Sequence, residues 1–478
     1  MHGTVEPALA SAAGQQRSPL LTLWDWSRVG VLMLLYVLSL ADRQVISLVI
    51  DPIKADLGIT DLQMGLMQGL AFSVIYVIAG LPLGYATDRL QPRYIILGGV
   101  LFWSLCTIGC GLATSFAVLF MFRIGVAVGE SSLTPAAHAT MARSFPPDRL
   151  GLPMSLYMLS WQLGAGLAFV TSGYVIHSLS GGGGQVLPVF GEVRSWQVPF
   201  IALGVPGAAL ALLALLLPRF APRKSRIDAP GTGSIFSDFV RRRARFLLCH
   251  YFAFALIAVC GNALMVWGPA FYMRVWRLPV HEVGLLFGAM LAIVGTTAMV
   301  GVGWLADRLY RHGMVDAHIR VPLIASALGL PCFVAGWLAP DLLLSVVLIT
   351  IGAAAINSWG GPGAAALQLI APHELRGRLT AGFIVVNSLV GGAIGALGPA
   401  WLTEKVFADP QSLGQSLAIV SAVVMALALV LLAAALPLLR RIVREDREAL
   451  VDRAANEAVT MRAFGIPVTQ TAQTGARV

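Results

Sequence analysis

The chain has 478 residues, of which 57% are hydrophobic and only 12% charged, with a formal net charge of +9. Soluble domains carry about a quarter charged residues, so this composition excludes an ordinary soluble enzyme or binding module and points to an all-α integral membrane protein. Backbone groups in hydrocarbon must be satisfied internally, and no run of alternating short strands suggests a barrel, which leaves helices of about 20 apolar residues.

Residues 1–26 are polar, small and mixed, without a basic start feeding a short apolar core and a small-residue cleavage site. They read as a cytoplasmic N-terminal tail, with Trp24 and Trp26 at headgroup level. About twelve hydrophobic segments follow, near 27–50, 62–86, 94–113, 116–142, 152–177, 197–217, 246–273, 283–306, 320–339, 342–370, 378–402 and 414–438. The first holds "YVLSLADRQV", where Asp42 and Arg43 stand side by side in apolar surroundings. The second runs into Gly84, Asp88, Arg89 and Arg93; the fourth carries Arg123, Glu130 and His138; the fifth carries Trp161 and Gln162. "SGGGGQ" at 180–185 reads as a flexible loop, since no helix opens behind it as a phosphate cradle requires.

The longest polar connection, 218–245, is rich in Arg, Pro and Gly. It reads as a cytoplasmic linker between a bundle of six helices at 27–217 and a second at 246–438. The seventh segment holds Asn262 and Trp267 and ends at Arg274, expected to snorkel to the interface. The eighth runs into Gly303, Asp307 and Arg308; the tenth and eleventh carry Asn357 and Asn387. The tail, 439–478, alternates charges in "RRIVREDREALVDRAANEA" and reads as a short amphipathic helix at the inner surface followed by disorder.

Charge in the loops orients the chain. Arg89, Arg93, Arg143, Arg149 and the arginines of the linker lie on one side, whereas "DPIKADLGITD" on the other is acidic or near neutral. Both termini are therefore expected in the cytoplasm, and the basic residues report topology and contact with anionic membrane lipids. No nucleic-acid recognition module accompanies them. The five cysteines, Cys106, Cys110, Cys249, Cys260 and Cys332, show no metal-ligand spacing and read as buried thiols. The halves also repeat. "GYATDRLQPR" at Gly84–Arg93 matches "GWLADRLYR" at Gly303–Arg311, and "PPDRLG" matches "PHELRG". Two parallel six-helix repeats are a transporter signature, with the substrate site at their interface near mid-membrane.

Gly84, Asp88, Arg89 and Arg93, with their second copy, resemble the signature of the major facilitator superfamily. More narrowly, "YVLSLADRQVIS", "FWSLCTIGCGLA", "FRIGVAVGESSLTP", "NALMVWGPAFYMR" and "ELRGRLTAGF" resemble the Spinster family, with similarity from about residue 27 to 438. Organic-anion symporters of the superfamily share the Asp-Arg pair and the Gly-Glu of the fourth helix. Spinster sequences usually have Ala after that Glu, where this chain has Ser131. The resemblance implies a transporter working by alternating access; animal Spinster proteins export lysolipids and sphingosine-1-phosphate.

A charge at a helix centre costs about 2.5–3.5 kcal/mol on insertion scales, so Asp42 should face a wet cavity or a partner. Adjacent helical residues diverge by about 100°, so Asp42 and Arg43 are each free to engage another helix. Arg123 and Glu130 share a face about 10.5 Å apart along the axis, too far for a direct pair. In the fold that the resemblance implies, the first and fourth helices flank the central cavity, and Arg43 with Glu130 is the expected pair. It is either a buried lock or, as preferred here, a proton-titrated gate with Asp42 and Glu130 as the coupling acids. Asp88 is expected to cap the start of the eleventh helix near Gly377, and Asp307 the start of the fifth near Gly151, as conformational latches. Trp161, Gln162, Asn262, Trp267, Asn357 and Asn387 are candidates for cavity lining, against the alternatives of packing or interhelical glue. His138 reads as a structural histidine or a proton shuttle.

The resulting expectation is a monomeric transporter in a bacterial inner membrane that moves an amphipathic, lysolipid-like anion, with the proton gradient as energy source and no metal or cofactor. No GxxxxGK[ST] phosphate loop serves an ATP-driven pump, and no N-x-[ST] sequon is present. The alternatives are a proton symporter of a small organic acid, a membrane enzyme acting on lipids, and a non-transporting sensor.

Overall fold

The computed structural model describes residues 23–146, 149–179, 185–187, 191–220, 232–357, 360–372 and 374–463. Most of the expected N-terminal tail, the glycine run, the middle of the linker and the last fifteen residues of the C-terminal tail lie outside the described residues.

Among the described residues, eleven helices are long and apolar enough to cross a membrane. They are α1 (Leu23–Leu48), α2 (Asp61–Thr87), α3 (Pro92–Gly111), α4 (Phe116–Ser144), α6 (Val198–Leu216), α7 (Phe236–Arg274), α8 (Val280–Arg311), α9 (Ala317–Trp337), α10 (Leu342–Ile370), α11 (Arg376–Phe407) and α12 (Pro410–Ala449). The twelfth, α5 (Gly151–Leu179), is 29 residues long and falls outside that set on apolarity. It carries Gln162, which is buried, and His177, which is exposed, and it packs on α1 and α8.

Three boundaries differ from expectation. The first segment stops at Leu48, and a separate short helix, Ile50–Leu57, closes on Gly58 in the left-handed conformation before α2 begins. The helix containing α7 starts at Thr232, so the second half of the expected linker is helical. The helix containing α12 runs unbroken from Leu413 to Ala463, so the charged tail continues a spanning helix instead of forming a separate one. Apolar periodicity fades where a helix leaves the bilayer, but helix propensity does not, and Arg243 pins the two extensions together through Glu445 and Asp446. A small hairpin, β1 (Gln185–Leu187) with β2 (Gly191–Val193), was not expected from the sequence.

The repeat extends into helix breaks. Ser115 caps the first piece of α4, Phe116–Glu130, by accepting from Val118 N. Asp341 caps the first piece of α10, Leu342–Ile356, by accepting from Leu344 N. Each piece is 15 residues long and ends at mid-depth, after Glu130 in one half and before Asn357 in the other. The sequence offset is the one that pairs "PPDRLG" with "PHELRG".

Within the halves α3 packs on α4 and α6, and α9 on α10 and α12; across them α5 packs on α8, and α2 on α11. Small residues permit the cross-half contacts. A Cβ at Gly65 would lie 2.6 Å from the Ala396 carbonyl oxygen, and one at Gly166 would lie 2.8 Å from that of Gly288. The Gly65 crossing lies near the rim where α1 ends and α2 begins, and the Gly166 crossing lies nearer the middle of α5. At the other rim, which carries the duplicated signature and is called the signature rim below, a Cβ at Gly151, Gly303 or Gly377 would meet nothing described within 4 Å. The halves are closed against each other at one rim and stand apart at the other.

Candidate functional site

Asp42 and Arg43 sit near the end of α1, one turn before its final 3-10 segment. Arg43 Nε lies 2.5 Å from Glu130 Oε2, so the pair expected between α1 and α4 is present. Arg123, two turns earlier on α4, donates from Nη1 to the main-chain oxygen of Asp42 at 3.0 Å rather than to its carboxylate. The Asp42 carboxylate instead accepts from Thr107 Oγ1 on α3 at 3.2 Å. Asp42, Glu130 and Arg123 are buried, and the second oxygens of both acids, Asp42 Oδ1 and Glu130 Oε1, accept no hydrogen bond.

Arg43 is different. Its side chain keeps 21% exposure, and its guanidinium lies 5.0 Å from the Phe72 ring centroid and 4.8 Å from that of Tyr76. Cation–π contact at such range stabilises a cation without neutralising it. Tyr36 stacks on Tyr157 at 4.8 Å and approaches Trp161 at 6.3 Å, while His138 meets Tyr157 edge-on at 5.6 Å. An aromatic wall therefore stands beside a cation that has one acid partner and an open face.

Local sequence explains the placement. Glu130 ends a helix piece because Ser131 and Ser132 turn their hydroxyls back onto the Val128 and Gly129 carbonyl oxygens. Gly99 lets α3 approach that break, since a Cβ there would lie 2.9 Å from the Gly129 oxygen. Thr107, Tyr36, Phe72, Tyr76 and Tyr157 were not singled out from the sequence. A hydroxyl one turn after Trp103, and a tyrosine within two turns of the charged pair at Tyr36, were the available signals.

The remaining candidates divide. Gln162 Nε2 donates to Asn357 Oδ1 at 2.9 Å, joining α5 to the break in α10 across the two halves. Trp161 is exposed, at 40%. Trp267 is not a cavity wall: it is fully buried, and its indole donates to the Ala396 carbonyl at 2.8 Å in the α7–α11 contact. Asn262 and Asn387 donate back to their own helices, at Ala258 and Phe383.

At the signature rim Gly84 faces Pro135 of its own half. Arg89 lies over Tyr85, Arg308 lies over Trp304, and Arg93 is buried and donates to the Tyr94 hydroxyl at 2.6 Å. The Asp88 side chain, and with it the expected cap on α11, lies outside the described residues. Asp307 does not reach the start of α5; its Oδ1 lies 3.1 Å from His318 Nε2 of α9. With the halves apart at this rim, the nearest polar partner belongs to its own half. Arg274 does not snorkel: it is buried and bonded to Asp51 and Asp61. The segment pattern shows an arginine at a helix end but not the two acids that the other half brings to it.

A family model described as Major Facilitator Superfamily matches residues 32–396. The chain belongs to this superfamily. It is 28% identical over 401 residues to an "MFS-type efflux pump" of Mycolicibacterium smegmatis, covering 82% of this chain and 88% of that protein. It is 26% identical over 393 residues to human "Protein spinster homolog 1", covering 76% and 70%. The crystal structure of a bacterial homolog to the human lysosomal transporter Spinster, inward-facing and unoccupied, superposes with a TM-score of 0.71 at 24% identity, over 89% of this chain and 98% of that one. The superfamily consists of transporters, so a membrane enzyme acting on lipids is set aside, and the fold of two six-helix bundles is that of the superfamily.

Proposed function

We propose that this major facilitator transporter carries an amphipathic organic anion, of the lysolipid or sphingoid phosphate kind, coupled to protons handled at Asp42 and Glu130. The observation that carries the reading is Arg43: a cation bound on one edge by Glu130 and open on the other, beside the wall of Tyr36, Tyr76, Tyr157 and Trp161. An anionic headgroup suits the open edge of the guanidinium, and an alkyl chain suits the aromatic wall. Asp42 Oδ1 and Glu130 Oε1, buried and unpartnered, are the positions at which protons would be held. By the basic loops, the signature rim is the cytoplasmic one, both termini are inside a bacterial inner membrane, and this form is open inward. The transporter is read as a monomer.

A small organic acid is the second reading. Gln162 and Asn357 place two amides at the helix break equivalent to that of Glu130, where hydroxyl groups of a hydroxy acid could bond. A thermal-shift screen of lysophosphatidate, sphingosine-1-phosphate, lysophosphatidylcholine and small organic acids separates the two. The expected result is stabilisation by the single-chain anions that Arg43→Ala removes; stabilisation by hydroxy acids alone would replace the first reading with the second.

A further inference from the structure

We propose that the rim opposite the signature loops is a gate with its own lock, formed by Arg274 on Asp51 and Asp61 and reinforced by Glu404, and that these bonds must break each time that side opens. The proposal rests on the alternating-access reading above, but not on proton coupling or on the identity of the cargo.

Arg274 is the last residue of α7, in the second half, and its side chain is only 6% exposed. Both of its acid partners belong to the first half: Asp51 to the short helix Ile50–Leu57, and Asp61 to the start of α2. The guanidinium grips Asp51 through Nε at 3.0 Å and Nη2 at 2.6 Å, and Asp61 through Nη1 at 2.9 Å and Nη2 at 2.8 Å. Two-pronged grips of this kind use the fixed fork of arginine, which lysine lacks. Lys54 adds a 2.7 Å bond to Asp61 from within the first half, so the two acids and two bases sum to zero charge. Separating the halves here would strip Arg274 from both acids at once, and removing one partner from a buried pair is strongly unfavourable.

A second tie crosses the same rim by a different device. Thr60 and Gln63 form a reciprocal capping box at the start of α2, Thr60 Oγ1 accepting from Gln63 N and Gln63 Oε1 from Thr60 N. That box leaves the Leu62 amide without a partner in its own segment, and it donates instead to Glu404 Oε2 near the end of α11, at 3.0 Å. A carboxylate on a first-turn amide also meets the positive end of the helix dipole. An acid of one half capping a helix of the other is the device expected of Asp88 and Asp307; here it operates at the opposite rim.

The test needs neither cargo nor gradient. Spin labels at Ala55 and Val406, in the full-length chain with its five native cysteines replaced, report the width of this rim, and labels at Ala55 and Thr114 report the first half alone. Arg274→Gln and Asp61→Asn should raise the ratio of the wide to the narrow population by about tenfold, with the control distance unchanged. Asp51→Asn and Glu404→Gln, whose carboxylates are more exposed, should shift it in the same direction and remain measurable if the first two fail to fold. Arg274→Lys should rescue only in part. A narrow, wild-type distribution in Asp51→Asn and Glu404→Gln, or an equal widening of the control pair, would overturn the lock.

Discussion

Thr107 donates a hydrogen bond to the Asp42 carboxylate from the neighbouring helix α3. Thr107→Val keeps the shape and removes that bond from a buried carboxylate. A bond to a charged group is worth about 1.5–3 kcal/mol, so the melting temperature in detergent should fall, and Asp42→Asn should largely restore it. A Thr107→Val protein as stable as wild type would mean that Asp42 does not depend on this contact. At this scale the sequence was a partial guide. Charge cost alone indicates that Asp42, Arg43, Arg123 and Glu130 have partners, and the seven-residue spacing excludes Arg123 on Glu130. That Arg123 bonds a main-chain oxygen, and Asp42 a threonine hydroxyl, depends on how α1, α3 and α4 pack together, which no pattern within one segment contains.

At the scale of elements, the helix crossings between the two halves leave no room for side chains. Gly65 faces the Ala396 carbonyl and Gly166 that of Gly288. Gly65→Val would force α2 off α11 at that point. The expected result is transport reduced by at least about tenfold, with a widened Ala55–Val406 distance; a normal width would show that α11 shifts to absorb the valine. The bond from Gln162 to Asn357 is a milder cross-half tie. Gln162→Leu and Asn357→Leu should couple in a double-mutant cycle by about 0.5–2 kcal/mol, read from melting temperatures; additive losses would show that the amides act independently. Hydropathy marked the spanning helices because each is an apolar run of the needed length, α5 less strongly than the other eleven. It did not mark the breaks at Ser131 and Asn357 or the helix that continues to Ala463, because a break inside apolar sequence and a helix outside the membrane both leave mean hydropathy unchanged. The Asp307 and Arg274 expectations failed for one reason: each partner is set by which rim is closed.

For the whole molecule, the two rims are asymmetric in chemistry as well as in spacing. One is closed by Arg274, Asp51, Asp61 and Glu404, and the other carries the duplicated signature with the halves apart. Between them lies the Arg43–Glu130 pair, buried on one side and open on the other. Alternation requires that something favour one closed rim over the other, and the proposed agent is the proton. Moving one elementary charge down 100 mV supplies about 2.3 kcal/mol, comparable with conformational couplings of about 1–3 kcal/mol. Proton coupling at Asp42 and Glu130 is therefore testable in proteoliposomes, as flux of the anion selected by the thermal-shift screen, with and without an imposed pH gradient. Asp42→Asn and Glu130→Gln should each fold, retain downhill transport and lose acceleration by the gradient. Wild-type gradient dependence in both variants would show that neither acid couples protons to transport and leave the buried pair as a structural lock between α1 and α4.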